Sequence, residues 1–475
     1  MTKEIILTDS QNKAVSELLE WTKIKLKTHF GEVPDEESSV NNTIRTLSGS
    51  AGTGKTTIVD TLISKLDRHL NVCVTAPTHK AKTVISKMTG LSGRTIHSLL
   101  GLKPNVDIEN FDINRPVFDE LSPKEISEYD LIIVDECSMI SKDLKDIIEK
   151  DALKYKTKIL FVGDKKQVGP VNNKHYEEIS ETFNYKGVEL TEIVRQKNSN
   201  PLNMMLSLLV NDITSNTDTF NQQLKNKDIV IVDDEGYGVF DSNAFYIELE
   251  KYFNKETVLI ENKVKYLAFS NRNIALFNKY IRQILFQTRT PAIIDIGDLI
   301  MCYKQIITGS GKHQETVYNN AEELEVLEII FSNNKYGINI IYTKVRSLST
   351  GRTFDLPIVN PNSYKEFVEK FNDFLETAIA MRGSAWKTYY EFKQSHILLE
   401  TLVDSNEKTI IEKDIDFGYG ITIHKSQGST YENVFINLDD IKKFSHVIGS
   451  EQMRKLLYVG VSRTKGICLI LNNHG

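Results

Sequence analysis

Cysteine is scarce in this chain. Cys73, Cys137, Cys302 and Cys468 are the whole supply in 475 residues, and their spacing fits no metal-ligand pattern. Each lies in or beside an apolar run, so buried, reduced thiols are expected. Long hydrophobic runs are lacking too. No stretch approaches the roughly 18 apolar residues of a membrane span, and Met1-Thr2-Lys3-Glu4 does not open a signal peptide. No membrane partner and a cytoplasmic location are therefore expected. An excess of positive charge is also missing, since 58 lysines and arginines against 64 acids leave a formal net charge of −6. That argues against a surface coated with nucleic acid, although a local basic stripe suffices for a single strand. No internal repeat is visible. A composition of 40% hydrophobic and 26% charged residues describes a soluble globular chain, with about three domains at roughly 150 residues each.

The most informative segment present is Gly49-Ser50-Ala51-Gly52-Thr53-Gly54-Lys55-Thr56-Thr57, which fits G-x-x-x-x-G-K-[ST]. A strand-like run, residues 43–48, precedes it. Ile58, Val59, Leu62, Ile63 and Leu66 follow at the three- and four-residue spacing of a helix face. In that setting the loop amides curl around an anion and the helix N-terminus adds its positive dipole end. Lys55 then reaches the outer phosphates, and the Thr56 hydroxyl holds Mg²⁺. A nucleoside triphosphate, ATP, is the expected ligand.

The first third alternates strands and helices, as a parallel sheet covered on both faces does. The apolar runs 72–75, 131–134 and 159–162 suit buried parallel strands. The polar, proline-bearing stretch at about 100–123 reads as a hairpin excursion. A second α/β pattern begins near residue 188, breaks off, and resumes at 412. Between them, 291–411 carries short strand-like runs suggesting a small antiparallel barrel, followed by helical stretches. The expected organisation is a first core over 1–187, a second over 188–290 and 412–475, and an insertion over 291–411.

Asp135-Glu136 follow the apolar run 131–134, at the strand end where ligands of such sheets gather. One carboxylate there can hold Mg²⁺, and the next can orient the attacking water. Gln167 closes Val162-Gly163-Asp164-Lys165-Lys166-Gln167 and is placed either at the γ-phosphate or in a plain polar turn. Gln11, in Thr8-Asp9-Ser10-Gln11, is both a capping-box residue and a candidate contact to the adenine edge.

Further segments follow in order: Ala76-Pro77-Thr78-His79-Lys80-Ala81-Lys82, Thr95-Ile96-His97-Ser98, Leu190-Thr191-Glu192-Ile193-Val194-Arg195-Gln196, residues 418–429, and Leu457-Tyr458-Val459-Gly460-Val461-Ser462-Arg463-Thr464. Together with the loop and Asp135-Glu136 they resemble the superfamily one helicases. The match is to the RecD-like, 5′→3′ branch that includes the Dda-type helicases of T-even-like bacteriophages. The resemblance implies an α/β fold of two RecA-like P-loop NTPase cores. It places a β-hairpin insertion in the first, and an SH3-like barrel plus helices in the second. It implies ATP and Mg²⁺ as cofactors, with Lys55, Asp135, Glu136, Gln167, Arg195 and Arg463 catalytic. Gln11, Gly49, Ala51, Gly52, Thr53, Gly54, Thr56, Thr57 and Gly428 would line the nucleotide site.

For DNA it implies His79, Lys80, Lys82, Thr95, His97, Thr422, His424 and Lys425 as non-sequence-specific contacts. Phe111 is expected as the hairpin aromatic, with Phe118 its rival, and Trp386 as a base-stacking residue of the insertion. Single-stranded and forked DNA are the expected partners of a monomer, beside single-stranded-DNA-binding or replisome proteins. The expected setting is phage DNA replication and recombination. Two other readings stay open: a helicase subunit of a recombination nuclease, and a nucleotide-switched DNA clamp that does not unwind.

Overall fold

The structure is a computed structural model, and it describes residues 7–24, 36–105, 117–120, 124–170, 179–192, 200–220, 224, 229–308, 315–381, 384–404 and 408–473. The first sheet comprises β1 (Ile44–Gly49), β2 (Val72–Ala76) and β3 (Gly93–Thr95), then β6 (Leu131–Val134), β7 (Lys158–Gly163) and β8 (Gly187–Leu190). Strands β4 (Leu102–Asn105) and β5 (Val117–Glu120) stand outside it as an antiparallel pair. The sheet order is β3-β2-β6-β7-β1-β8, and every pairing is parallel. The parallel direction puts the carboxyl ends of all six strands on one edge, so the phosphate loop, Asp135 and Asp164 leave the sheet side by side. Helices Asp9–Lys23, Lys55–Lys65, His79–Thr89 and Lys142–Tyr155 cover its faces.

The second sheet holds β9 (Ile229–Val232), β10 (Glu235–Phe240), β11 (Val264–Ala268), β21 (Gly420–Thr422), β22 (Asn433–Asn437) and β23 (Ile467–Leu471), in the order β21-β11-β22-β23-β10-β9. It is parallel except for the edge strand β9. Beside the antiparallel pairs β13 (Ile306–Thr308) with β14 (Glu315–Tyr318) and β18 (Leu402–Val403) with β19 (Thr409–Ile411), the chain that interrupts it forms a five-stranded sheet from β12 (Leu299–Cys302), β15 (Glu323–Asn333), β16 (Asn339–Ser347), β17 (Thr353–Val359) and β20 (Ile415–Phe417). All its pairings are antiparallel. Helices Tyr364–Met381 and Ser384–Gln394 follow and share one aromatic core.

Two expected boundaries move. Gly187–Leu190 pairs with the free side of β1 and buries Leu190, so the first sheet runs past residue 187. Ile415–Phe417 pairs with β12, and Ile415 joins the insertion's core, so the inserted sheet continues past 411. Both short strands carry too little pattern of their own, and the partner strand decides where they go. All four cysteines are buried and unpaired. Among the described residues, no helix is long and apolar enough to cross a membrane.

Candidate nucleotide site and nucleic-acid interface

The phosphate loop begins where β1 ends. Gly52 and Gly54 take φ of 83° and 81°, values that suit glycine, and Gly54 caps the helix Lys55–Lys65. A Cβ on Gly54 would collide with Gln11 Nε2. Gln11 is 3% exposed; its Nε2 donates to Thr53 O at 3.0 Å while its Oε1 accepts from Thr8 N–H. The amide expected at an adenine edge is therefore turned inward and braces the loop. Thr53 Oγ1 donates to Ser50 O, and Lys55 Nζ donates to the carbonyls of Gly49 and Ser50 at 2.7 and 3.1 Å. Thr56 and Thr57 follow in the first helical turn.

Asp135 and Glu136 leave β6 beside this loop. Glu136 holds a φ of 53°, an uncommon conformation for a residue with a Cβ and one that recurs at active sites. Burial first and Glu136 second push the Asp135 carboxyl above the ordinary carboxylate range, with Lys55 opposing them. Two adjacent carboxylates held this way are a donor set suited to a hard divalent cation. At the end of β7, Asp164 is 1% exposed and accepts from Lys166 N–H. Gln167 is buried, and its Oε1 is without a described hydrogen-bond partner.

The second sheet reaches the same loop through the helix Ser445–Ser462, whose residues from Gln452 to Ser462 are all buried. Ala51 N–H donates to the Tyr458 hydroxyl at 2.6 Å, and that hydroxyl donates to Asp164 Oδ2 at 2.5 Å. Ala51 and Val168 pack into the second sheet's core cluster, and Gln427 Nε2 donates to Val168 O at 3.0 Å. Arg463, one residue past the helix, is 5% exposed. Its guanidinium donates to Val459 O, Ser462 Oγ and Ser429 O. Gly428, expected at the nucleotide, instead has a φ of 72° and closes on Ala81, whose Cβ would lie 3.1 Å from an added one. Arg195 and Phe111 lie outside the described residues.

The expected DNA contacts fall on the carboxyl edges of both sheets. Thr78 caps the helix His79–Thr89, so His79, Lys80 and Lys82 follow β2. Lys80 Nζ lies 3.3 Å from Tyr431 OH of the second sheet. Thr95 ends β3 and accepts from Ser98 N–H, capping the turn that carries His97. Thr422 ends β21, and His424 and Lys425 follow it. Burial lowers His79, with Lys82 adding to it, and burial alone lowers His97 and brings His424 down to about 4. Without an anion nearby, burial therefore favours the neutral ring at each position, and a neutral ring can still donate one N–H to a phosphate. Trp386 is half-buried, with its ring 5.5 Å from Tyr389 and 6.1 Å from Tyr390.

Sequence reading missed Tyr458 and Asp164, which it quoted only inside longer segments, because their roles depend on a contact 294 residues apart in the chain.

Comparison with known proteins fits this geometry. A profile described as an AAA domain matches residues 37–234, and one described as a UvrD-like helicase C-terminal domain matches 417–471. The ATP-dependent DNA helicase dda of Enterobacteria phage T4 is 26% identical, over 88% of this chain and 92% of that protein. The RecBCD enzyme subunit RecD of Buchnera aphidicola is 23% identical, over 97% of this chain and 75% of that protein. The crystal structure of Bacteroides Pif1 bound to ssDNA shares the fold, with a TM-score of 0.50 at 18% identity, covering 98% of this chain and 92% of that one.

Proposed function

We propose that the chain is a superfamily one DNA helicase of the RecD-like branch with Dda, translocating 5′→3′ on single-stranded DNA and unwinding forked duplex, fuelled by ATP. The observation that carries this reading is the bridge from Ala51 through Tyr458 to Asp164, which sets one loop between two α/β cores. A nucleotide seated there is answerable to both cores, as a motor needs.

Within this reading the loop amides from Gly49 to Thr57 cradle the phosphates, and Gln11 holds the loop in shape. Lys55 leaves the carbonyls of Gly49 and Ser50 to meet the outer phosphates. Thr56 and Asp135 would hold Mg²⁺, whose charge would offset that of the phosphates. Glu136 orients the attacking water, and Gln167 offers its free Oε1 to that same water. Arg463 approaches from the second core and, with Arg195 as its partner in role, supplies a rigid, permanently charged fork that stabilises the transferred phosphoryl group. His79, Lys80, Lys82, Thr95 and His97 on one core, and Thr422, His424 and Lys425 on the other, grip the strand in alternation. The pair β4–β5 serves as the separating pin. The five-stranded insertion acts as an SH3-like barrel whose helices present Trp386. The protein works as a monomer on forked DNA, in phage replication or recombination, beside single-stranded-DNA-binding or replisome proteins.

Strand displacement on forks with only a 5′ or only a 3′ tail tests this reading. Displacement confined to the 5′ tail is expected. Displacement confined to the 3′ tail reverses the polarity, and none with either tail leaves a nucleotide-switched clamp. Displacement that needs an added nuclease partner points to a subunit of a recombination complex.

A further inference from the structure

We infer that Tyr458 is the positioning residue through which the state of the phosphate loop sets the placement of Arg463. This deepens the helicase reading and rests on Arg463 serving the nucleotide. Tyr458 has no exposed surface and Asp164 only 1%. The phenol is pushed far above its ordinary value by burial first and Asp164 second, so it keeps its proton and donates it to Asp164. Its lone pair is then left to accept from Ala51 N–H, which fixes the direction of both bonds.

Three functional pieces meet at this oxygen. Ala51 belongs to the phosphate loop, so an anion drawn into that loop alters the amide available to Tyr458. Asp164 opens the turn that carries Gln167, and the Gln167 amide hydrogen bonds to Asp164 O at 3.2 Å. Tyr458 itself stands five positions before Arg463, about one and a half helical turns. That stretch is buried throughout, and Leu456, Leu457, Tyr458, Val459 and Val461 sit in one packed cluster. A close-packed helix moves as a body, so a shift at Tyr458 is delivered at Arg463. The ring does not reach the reacting atoms by itself. Its work is to couple them to the second core.

Tyr458→Phe keeps the ring and removes only the hydroxyl. Expected are affinities for a non-hydrolysable ATP analogue and for single-stranded DNA within about twofold of wild type. The DNA-stimulated kcat should fall about tenfold with KM for ATP unmoved, a loss of turnover separate from the drop in melting temperature that one lost buried hydrogen bond brings. Asp164→Asn should give the same split, and the double variant should be no slower than either single one, because both break one link. A wild-type kcat in Tyr458→Phe overturns the inference. So does a loss that appears in KM instead, or additive losses in the double variant. Arg463→Ala separates the two levels. Normal turnover in Arg463→Ala rejects the underlying site, whereas a dead Arg463→Ala beside a normal Tyr458→Phe rejects only the coupling.

Discussion

Lys265 Nζ lies 2.8 Å from Glu323 Oε1, with the two side chains 1% and 6% exposed, so a single ion pair ties β11 of the second core to β15 of the insertion. Lys265 also donates to Gly418 O at 2.5 Å. Lys80, from the first core's helix, lies over the Tyr431 ring on the same cluster, 5.0 Å from its centroid, and Lys265 lies 5.5 Å from it. Burial works against the Glu323 charge, yet Lys265 and then Lys80 hold its carboxyl below the ordinary range. Three parts of the chain thus share one buried charge cluster.

Removing one partner strands the other. Lys265→Met should lower stability by about 3–5 kcal/mol, whereas Lys265→Met combined with Glu323→Leu should recover most of that loss. Urea unfolding measures both. A Lys265→Met loss well under 1 kcal/mol would show that water reaches the pair. Because the Glu323 carboxyl is depressed on folding, the wild-type contribution is full above the unfolded pKa and fades as pH falls through the folded one.

The Arg463 guanidinium makes its four described hydrogen bonds to neutral oxygens, so its charge is available to an anion. Arg463→Ala should abolish DNA-stimulated ATP hydrolysis while a fluorescent nucleotide still binds. Steady-state turnover with a parallel binding titration checks it, and near-normal turnover removes Arg463 from the site.

Lys425 lies over the Tyr303 ring. Burial first, and Lys413 next, push its ammonium down to about 7, with Lys304 adding to the fall and Asp416 and Glu412 opposing it. Below that value Lys425 is charged and can hold a phosphate; above it the charge is lost. The log–log salt slope of single-stranded DNA binding should therefore shrink by about one unit between roughly pH 6 and pH 8. Lys425→Arg, which stays charged, should flatten that pH dependence; an equal slope change in the variant assigns it to another group. Folding shows the opposite trend. The unfolded chain binds the proton more tightly, so stability rises with pH from about 7 toward the ordinary lysine value.

Trp386 packs on Tyr389 and Tyr390 yet keeps part of its ring in solvent. If its exposed face stacks on a base, Trp386→Ala weakens single-strand binding by about 1–3 kcal/mol and leaves the melting temperature near wild type. Unchanged affinity with a lower melting temperature would assign the ring to the helical core.

Much of the candidate nucleotide site is legible in the sequence. The loop from Gly49 to Thr57, Asp135-Glu136 and Gln167 are local patterns, each bound to a neighbouring strand or helix whose apolar period is visible in the chain. Other contacts at the expected site residues are visible only in the fold. Gln11 turns its amide onto Thr53, and Gly428 packs on Ala81, because these positions answer to neighbours distant in sequence. The boundaries expected at 187 and 411 move for a related reason. Strands as short as Gly187–Leu190 and Ile415–Phe417 are assigned by the strand they pair with.

By itself the sequence determined the chemistry available: a phosphate cradle, paired acids, basic and hydroxyl groups at strand ends. Short-range order suffices for that, since a loop between strand and helix is built by adjacent residues. Only the tertiary structure decided which groups share a site. Tyr458 lies 407 residues from Ala51 and 294 from Asp164, and Lys80 lies 351 from Tyr431. Those meetings follow from the carboxyl edge of the first sheet packing against the segments that lead into β22 and β23 of the second. No local pattern in the chain encodes that packing.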